Sequence, residues 1–381
     1  MYIVKNGIEM VNLKKQYQRL KKDIDSSIFR VIESSKFIKG DEFESFQIEL
    51  ANYLQVQNVI GCGNGTDALQ IALMALNLKK GDEVIVPSFT YVATAEVIGL
   101  LGLKPVFVNV DSSTFNLNKE IIEDAITLKT KLIVPVHLFG QCSEMEGILE
   151  AVGNKDIIII EDTAQSIGAE YTFTNGKTFK AGTIGAIGTT SFFPSKNLGC
   201  FGDGGAIFTN HSIFAEKIKM ISNHGQSKQY VHDIIGINSR LDNLQASILR
   251  VKLRQINDFI LRRNEVANFY NNNLISNKYI ETPVKTPKST HVYNQYTLKI
   301  KGGLRNDLKK YLESKKIPSM IYYPIPLHLQ KAFKDIGRKS GDLSISEQLC
   351  TEVLSLPIHT EMTSSELQYI VEHVNIFFNG K

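Results

Sequence analysis

The sequence predicts an α/β fold with a mostly parallel central sheet, followed by a smaller C-terminal α+β domain. Between residues 58 and 209, short apolar runs alternate with helical patterns of about 10–15 residues, which is the order that βαβ units produce. The apolar runs are continuous, as expected for strands that are covered by helices on both faces. The chain has 381 residues, of which 43% are hydrophobic and 22% charged, and this is the composition of a globular protein.

The N-terminal part of the chain is predicted to be helical before the sheet begins. Apolar residues recur at helical spacing over 11–54, with a turn at Gly40 and a second helix in DEFESFQIELANYL. A β-branched run then leads through a glycine-rich turn into a helix over 67–76. Further strands are predicted in EVIVP, KPVFVNVD, KLIVPVHL, DIIIIED, GAIGTTSFF and GGAIFTN, with helices in FTYVATAEVIGLLG and over 118–126.

The character of the sequence changes after Leu241. Residues 241–274 form one helical pattern without glycine or proline, which predicts a single long helix leading out of the large domain. A strand pattern in VYNQYTLKI follows, and then helical patterns in RNDLKKYLESKK and SSELQYIVEHVNIFF. We therefore expect a large domain over 1–255, including the N-terminal helical segment, and a small domain over 256–381.

Charge and cysteine content exclude several classes of protein. The 43 basic and 39 acidic residues leave a net charge of +4, which gives no reason to expect binding to nucleic acid or to an anionic membrane. The first 30 residues lack the apolar core of a signal peptide, and no apolar run approaches the roughly 20 residues that span a bilayer. The four cysteines stand far apart, at Cys62, Cys142, Cys200 and Cys350. We expect a cytoplasmic protein with reduced thiols and no bound metal.

The glycine cluster over 61–66 resembles a nucleotide-binding loop but matches neither common pattern. It has the form G-x-G-x-G, whereas dinucleotide-binding folds need G-x-G-x-x-G, and no lysine follows as in a P-loop. Free N–H groups at a helix start can bind a phosphate, and glycine lets the phosphate approach the backbone. The alternative is a tight turn in which Thr66 or Asp67 caps the helix, and both interpretations remain open.

Asp162 closes the apolar run over 157–160. Ligands of open α/β sheets bind at the carboxyl ends of the strands, and a buried carboxylate there needs a cation or a hydrogen-bond donor. In the alternative interpretation, Glu161 and Asp162 cap the segment that follows, and Gln165 and Ser166 are ordinary turn residues.

Lys196 lies in the segment TTSFFPSKNLG, among aromatic residues and a proline and without a neighbouring acid. A lysine in such a pocket is desolvated, which favours the neutral amine that attacks carbonyl groups. The alternative is an exposed loop lysine, the commoner fate of this residue type. The following Gly202-Asp203-Gly204-Gly205 leads straight back into a strand, so we expect a constrained hairpin.

One cofactor accounts for all three features. Pyridoxal phosphate needs a lysine for covalent attachment, a carboxylate at its ring nitrogen, a phosphate site and a flat side chain against its ring. The sequence offers, in that order, Lys196, Asp162, Gly65-Thr66 with Ser191, and Tyr91.

From about residue 10 to the C-terminus, the chain resembles the DegT/DnrJ/EryC1/StrS family of pyridoxal-phosphate-dependent nucleotide-sugar aminotransferases. The resemblance rests on FIKGDEFESFQIELANYL, CGNGTDALQIAL, GDEVIVPSFTYVATAEVI, PVHLFGQ, IIEDTAQSIGA, TTSFFPSKNLGCFGDGGAIFTN, NHGQ, GINSRLDNLQASIL and YYPIPLHLQ. It implies a fold type I transferase similar to aspartate aminotransferase, with pyridoxal phosphate as cofactor and L-glutamate as amino donor.

The resemblance also implies a role for each motif residue. Lys196 would bind the cofactor and move the proton, and Asp162 would pair with the ring nitrogen. The other cofactor contacts would come from Gln165 at the phenolic oxygen, Tyr91 on the ring, and Gly65, Thr66 and Ser191 at the phosphate. Asn238 would reach the phosphate of the neighbouring subunit, which implies a homodimer with shared active sites. Arg240, Tyr323 and His328 would contact the nucleotide sugar.

The substrate is the least determined part of the resemblance. TSFFPSKNLGC, GINSRLD and YPIPL look most similar to the branch that aminates C3 of UDP-2-acetamido-2-deoxy-3-oxo-D-glucuronate for bacterial surface polysaccharides such as O-antigen. Branches for dTDP- or GDP-linked 3- or 4-keto-6-deoxy sugars share nearly every motif, and a non-catalytic regulatory protein could also keep the lysine. A sugar dehydratase of the same fold would carry histidine in place of Lys196. Tyr322 stands where relatives often have histidine, which affects contacts to the sugar.

Two histidines sit near these motifs. We expect a structural role for His137 because Lys196 already supplies the acid/base group, and we expect His224 to order its loop. Neither has a metal-ligand partner in the sequence pattern.

Overall fold

A computed structural model of the chain describes residues 7–274, 278–336 and 339–379. The helices are α1 Leu13–Ser34, α2 Asp41–Leu54, α3 Gly65–Met74, α4 Ala93–Leu100, α5 Lys119–Ala125, α6 Met145–Val152, α7 Ser212–Ile221, α8 Asn243–Leu253, α9 Ile256–Leu274, α10 Arg305–Ser314, α11 Ser344–Glu352 and α12 Ser364–Asn379. The strands are β1 Asn58–Cys62, β2 Glu83–Pro87, β3 Lys104–Val108, β4 Thr130–Ile133, β5 Ile158–Asp162, β6 Glu170–Thr172, β7 Thr178–Lys180, β8 Ile187–Ser191, β9 Gly205–Thr209, β10 Gln226–Lys228, β11 Val231–His232, β12 Ile280–Glu281, β13 Tyr296–Ile300 and β14 Val353–Leu356.

The central sheet has seven strands in the order β1-β9-β8-β5-β4-β2-β3. All the pairs between β8 and β3 are parallel, whereas β9 runs antiparallel to both β8 and β1. The predicted mostly parallel sheet is confirmed. The exception is explained by the predicted hairpin, because the chain turns back directly after β8 and pairs Ser191 with Gly205.

Both faces of the sheet are buried, as the continuous apolar runs predict. In β2, Val84 and Val86 contribute to a core with α3, α4 and α7, whereas Ile85 contributes to a second core with α5 and α6. Alternate residues of one strand therefore face different helical layers, which leaves no solvated face to carry polar residues. A third cluster joins α2, β9 and α8.

The predicted single helix over 241–274 is wrong. The structure has α8 and α9, separated at Arg254 and Gln255, where the Gln255 N–H bonds the Lys252 carbonyl three residues earlier. No glycine or proline marks this break. Its cause is tertiary, since α8 packs on α2 in the large part of the molecule whereas the second half of α9 packs against β13 and α12.

The C-terminal part is built on a second, antiparallel sheet of three strands, β12-β13-β14. Helices α9, α10 and α12 cover it and share one apolar cluster with it. This arrangement is the smaller α+β unit expected from the sequence. Within the described ranges, no helix is both long and apolar enough to cross a bilayer.

Candidate active site

Asp162 is the last residue of β5, at the carboxyl edge of the sheet, and only 5% of it is exposed. Its Oδ2 accepts a hydrogen bond from the Thr94 hydroxyl at 2.9 Å, and its Oδ1 accepts one from the Ala164 N–H at 3.0 Å. One oxygen thus caps the next turn, as the alternative interpretation expects. A carboxylate has about four acceptor positions, so Asp162 retains capacity for a ligand donor.

Glu161, the preceding residue, is completely buried and points to the other side of the strand. Its carboxylate accepts from His137 Nε2 at 2.8 Å and from three backbone N–H groups, those of Gly182, Ile184 and Gly185, at 2.9, 2.7 and 2.5 Å. These four donors account for the whole acceptor capacity of Glu161. Glu161 therefore fixes the turn before β8 and has no lone pair left for a ligand.

The hydrogen bonds of His137 also define its tautomer. Its Nδ1 accepts a hydrogen bond from the Ser143 N–H at 3.1 Å. Nε2 therefore carries the ring proton and donates the hydrogen bond to Glu161. The ring is completely buried between these two partners. This geometry supports the structural role expected for His137.

Lys196 lies in the connection between β8 and β9, half-buried. Desolvation lowers the pKa of its ammonium from 10.5 to about 8, an effect that the negative charge of Asp162 partly opposes. No hydrogen-bond or ion-pair partner of its Nζ lies within residues 7–274, 278–336 and 339–379. The amine is therefore available, near a carboxylate, and close to half neutral at pH 8.

The start of α3 forms a close-fitting cradle with the end of β8. The helix begins at Gly65 and is capped by Asn64, whose Oδ1 accepts from the Asp67 N–H at 2.8 Å, so the expectation that Thr66 or Asp67 is the cap is wrong. A Cβ at Gly65 would lie 2.6 Å from the Cβ of Ser191. First-turn N–H groups have no acceptor inside a helix, and Asn64 serves only that of Asp67 through its side chain.

The segment before α8 touches this cradle through Ser239. The Ser239 hydroxyl donates to Asp67 Oδ2 at 2.6 Å and accepts from the Gly63 N–H at 2.8 Å. Its neighbour Asn238 is exposed. Arg240 is half-buried and lines a cavity of about 590 Å³ bounded by α2 and β1, which does not include Lys196 of the same chain.

Tyr91 and Tyr323 form an aromatic pair beside the carboxyl edge, with ring centroids 6.2 Å apart. Tyr91 is 57% exposed, so its ring face is accessible. The Tyr323 hydroxyl accepts from Gln165 Nε2 at 3.2 Å, and Gln165 Oε1 accepts from the Phe139 N–H at 2.7 Å. Burial raises the pKa of Tyr323 well above 10, so its phenol stays protonated.

His328 is almost completely buried, and both its ring nitrogens have partners in the chain. Nδ1 lies 2.6 Å from the Ser88 hydroxyl, and Nε2 lies 3.3 Å from Glu347 Oε1. The predicted sugar contact through this ring would require one of these partners to be replaced. The structure thus brings Tyr323 to the site but holds His328 as an anchor between β2 and α11.

Three residues near the site carry no prediction from the sequence, namely Thr94, Asn64 and Ser239. Asn64 had a usable signal, because asparagine before a helical pattern is a preferred cap. Thr94 and Ser239 had none, since they meet Asp162 and Asp67 across 68 and 172 positions.

The residues of this site have the arrangement that binding of pyridoxal phosphate requires. An amine with a lowered pKa and no partner among the described residues lies near a carboxylate with spare acceptor capacity. The start of α3 lies against Ser191, and N–H groups at a helix start can bind a phosphate. An exposed aromatic ring stands at the same edge. Lys196, Asp162, Gly65 and Tyr91 thus match the four requirements of the cofactor.

Comparison with known proteins agrees with this geometry. A model of the DegT/DnrJ/EryC1/StrS aminotransferase family matches residues 18–375. The "Pleiotropic regulatory protein" of Geobacillus stearothermophilus is 42% identical over 98% of this chain and 99% of its own length. The "UDP-2-acetamido-2-deoxy-3-oxo-D-glucuronate aminotransferase" of Pseudomonas aeruginosa is 42% identical over 95% of this chain and 98% of its own. Further relatives are named "dTDP-3-amino-3,4,6-trideoxy-alpha-D-glucose transaminase" and "GDP-perosamine synthase".

The solved structures lead to the same family. The crystal structure of S. venezuelae DesV in complex with a ketimine intermediate superposes with a TM-score of 0.93 at 34% identity, covering 97% of this chain and 98% of that one. The crystal structure of ntda from Bacillus subtilis with bound cofactor PMP is 31% identical, with a TM-score of 0.87 over 97% of this chain and 83% of that one. The chain therefore belongs to the DegT/DnrJ/EryC1/StrS aminotransferase family, and it is a pyridoxal-phosphate-dependent aminotransferase with the fold type I architecture that its motifs implied.

Proposed function

We propose that the enzyme transfers an amino group from L-glutamate to a keto carbon of a nucleotide-linked sugar. The observation that carries this proposal is the amine of Lys196, which has a pKa of about 8, lies near Asp162 and has no hydrogen-bond partner in the part of the chain that the structure describes. The preferred acceptor is C3 of UDP-2-acetamido-2-deoxy-3-oxo-glucuronate, in the synthesis of bacterial surface polysaccharides such as O-antigen. The Pseudomonas aeruginosa relative of that name supports this choice.

Lys196 is the proposed proton-moving residue. Bound pyridoxal phosphate supplies an electron sink that lets an amino group leave one carbon and join another. A group with a pKa near the working pH accepts and returns a proton with little cost in either direction, and Lys196 Nζ has this property. Asp162 would hold the ring nitrogen through its free acceptor positions, with the Thr94 hydroxyl fixing the carboxylate.

The remaining cofactor contacts follow from the cradle. Gly65, Thr66 and Ser191 would bind the phosphate, because the N–H groups of Gly65 and Thr66 start α3 without an acceptor inside the helix and lie beside the Ser191 hydroxyl. Tyr91 would cover the ring face, since its own ring is exposed at this edge. Gln165 would lie at the phenolic oxygen and is oriented by Phe139 and Tyr323.

A homodimer with shared sites is part of the proposal. The hairpin β10–β11 and the residues after it expose apolar side chains, with Tyr230 83% and Ile235 86% accessible, and exposed apolar clusters of this kind mark interaction surfaces. Asn238 is exposed next to this hairpin and would complete the phosphate site of the neighbouring subunit. Arg240 and Tyr323 are the proposed contacts to the nucleotide sugar. His328 would join them if the sugar replaced Ser88 or Glu347 as a partner of its ring.

We place the enzyme in the cytoplasm. Its four cysteines are separate, buried free thiols, and such thiols persist in a reducing compartment.

Two other functions have support of their own. Relatives named for dTDP- and GDP-linked sugars make a 3- or 4-keto-6-deoxy sugar the second candidate substrate. A relative named as a regulatory protein gives the third candidate, a cofactor-binding protein without turnover. The cofactor chemistry is the same in the first two and incomplete in the third.

A spectroscopic experiment separates these candidates. The purified enzyme is expected to be yellow, to lose its long-wavelength absorption band with L-glutamate, and to regain it with the correct keto sugar from a panel of UDP-, dTDP- and GDP-linked compounds. Regulation without turnover predicts no recovery with any sugar.

Lys196→Ala tests the site itself. The variant is expected to give no adduct that borohydride can fix, whereas Lys131→Ala, which removes a surface lysine paired with Asp156, should behave as the unmodified enzyme. A reducible adduct in Lys196→Ala would show that another amine holds the cofactor.

The dimer is tested by Ile235→Glu. A charge on this exposed apolar residue should give a monomer in sedimentation experiments, together with loss of amino transfer. Leu128→Glu is the matched control, because Leu128 is also highly exposed but lies before β4, at the amino end of that strand and outside the β10–β11 segment. A dimer that survives Ile235→Glu would exclude this hairpin from the interface.

A further inference from the structure

A second lysine with an unusual environment lies behind the Lys196 segment. Lys252, on α8, is only 1% exposed, and its Nζ donates to the Gly199 carbonyl at 2.6 Å. The same ammonium stands 4.7 Å from the centre of the Phe201 ring. No carboxylate pairs with it in the described part of the chain, and the one titratable neighbour that influences it is the Cys200 thiol.

Gly199 belongs to the turn that carries Lys196. The Lys196 N–H donates a hydrogen bond to the Phe193 carbonyl at 2.8 Å. The Cys200 N–H donates one to the Phe192 carbonyl, also at 2.8 Å. A Cβ at Gly199 would lie 2.4 Å from the Pro194 carbonyl oxygen, so the turn is closed upon itself. The position of this turn relative to the rest of the protein therefore depends on its contacts with other elements.

Helix α8 holds this turn at two places. Gln245 accepts from the Phe201 N–H at 2.8 Å and donates to the Phe201 carbonyl at 3.3 Å, at the exposed end of the turn. Lys252 bonds Gly199 at the buried end, nearer to Lys196. Two turns of one helix therefore fix both ends of the segment over 199–201.

A buried cation without a carboxylate is costly, and a methionine would fill the same space at lower cost. Burial accordingly lowers the pKa of Lys252 from 10.5 to about 8. What lysine provides and methionine cannot is a strong donor to a carbonyl group that would otherwise be buried without a partner.

We propose that Lys252 is a positioning residue for Lys196, which tethers the Gly199 carbonyl to α8 and so keeps the Lys196 amine in its water-poor place near Asp162. The proposal rests on the role proposed above for Lys196. Without the tether, the turn moves outward, and the Lys196 amine becomes hydrated and behaves as an ordinary lysine.

The test measures the titration of Lys196 directly, in the full-length chain freed of cofactor. A small acylating reagent is applied across a pH series, and the labelling of each lysine is read by mass spectrometry. In the unmodified chain, the labelling of Lys196 should have its midpoint near pH 8, as its lowered pKa requires. In Lys252→Met the midpoint should rise by about one pH unit or more, because hydration restores the ammonium. Labelling at pH 8 would then slow by about fivefold or more.

Arg250→Met is the matched control. It replaces a cation on the same helix, but Arg250 pairs with Glu42 and Glu49 of α2 and does not contact the Lys196 turn. It should lower stability and leave the Lys196 midpoint unchanged. Lys252→Arg, which keeps a cationic donor, should restore at least part of the shift seen in Lys252→Met.

An unchanged Lys196 midpoint in a folded Lys252→Met protein would overturn the proposal. If that variant does not fold, the unmodified chain decides, since a tethered Lys252 should be labelled at least about 100-fold more slowly than the surface residue Lys131. Equal labelling of the two lysines would also overturn it. A reducible cofactor adduct in Lys196→Ala would instead contradict the proposed function and would leave the labelling comparison intact.

Discussion

Two consecutive acids, Glu161 and Asp162, have different surroundings because a strand alternates its side chains between faces. Glu161 points to the turn before β8 and accepts hydrogen bonds from three backbone N–H groups of that turn and from His137. Asp162 points to the carboxyl edge and keeps free acceptor positions. The sequence could identify this pair of acids, but it could not show which of them is saturated by hydrogen bonds. The donors to Glu161 come from His137 and from residues 182–185, which are distant in the sequence.

Asp162→Asn tests the cofactor contact proposed for Asp162. Because the Asp162 charge raises the pKa of Lys196, its removal should lower that pKa further, so Lys196 of the cofactor-free chain is labelled faster at pH 7. Amino transfer should nevertheless fall by about 100-fold or more, since a neutral amide cannot stabilise a protonated ring nitrogen. Labelling and single-turnover kinetics measure the two effects, and retained activity would remove Asp162 from the site.

Glu161→Gln tests the structural member. The amide places an N–H₂ group against N–H donors in a completely buried site, so we expect a loss of about 2–4 kcal/mol in the free energy of unfolding. Urea denaturation at pH 7 measures it. A loss below about 0.5 kcal/mol would mean that the turn is held by other contacts.

The titration of Lys196 also predicts a pH dependence for cofactor loading. In the role proposed for Lys196 the neutral amine would attack the aldehyde, and with a pKa of about 8 its neutral fraction rises about tenfold between pH 7 and pH 9. The rate of colour development after addition of pyridoxal phosphate should follow this curve and level off above pH 9. A rate that still rises steeply beyond pH 10 would indicate an ordinary solvated lysine.

Among the elements, α3 shows most clearly how a local sequence serves the site. Asn64 caps the helix, Gly65 permits the approach of Ser191, and the sheet places this helix start at the same edge as Asp162. The strands and most helices could be predicted because their apolar runs are local signals. The break between α8 and α9 could not, since it arises from packing against two distant clusters.

Gly65→Ala tests the cradle. The new Cβ would meet the Ser191 Cβ at 2.6 Å, and both atoms are fixed to backbone, so the helix start must shift. We expect cofactor retention to weaken by about tenfold or more, measured by dialysis and absorption.

Gly99→Ala is the matched control on another helix. Nothing lies within 4 Å of the position that its Cβ would occupy in α4, so we expect a gain of about 0.5–1 kcal/mol in stability and unchanged cofactor retention. Equal cofactor retention in Gly65→Ala and Gly99→Ala would contradict the proposal that the start of α3 binds the cofactor phosphate.

At the scale of the whole molecule, buried histidines make stability depend on acidity. Burial lowers the pKa of His291 to about 3 and that of His359 to about 4. Both rings bind protons in the unfolded chain below about pH 6.5 but stay neutral in the folded one, so stability is lost as the pH falls through this window.

The acid effect has a measurable slope. Each histidine should contribute about 1.4 kcal/mol per pH unit between pH 6 and pH 4.5. His291→Asn keeps an acceptor for the Tyr293 N–H and should reduce the slope by that amount, whatever it does to stability at pH 7. Urea denaturation at several pH values provides the slope, and an unreduced slope would assign the acid sensitivity to other groups.

Ser239 has a consequence for preparations that are only partly loaded with cofactor. Its hydroxyl forms hydrogen bonds that connect the start of α3 to the segment containing Asn238. In the proposed dimer, that segment contacts the neighbouring subunit. Through the Ser239 hydroxyl, cofactor binding in one subunit of the proposed dimer would then affect the segment that contacts the other subunit. Bleaching of the enzyme during purification should therefore be accompanied by dissociation, and added pyridoxal phosphate should restore colour and assembly together.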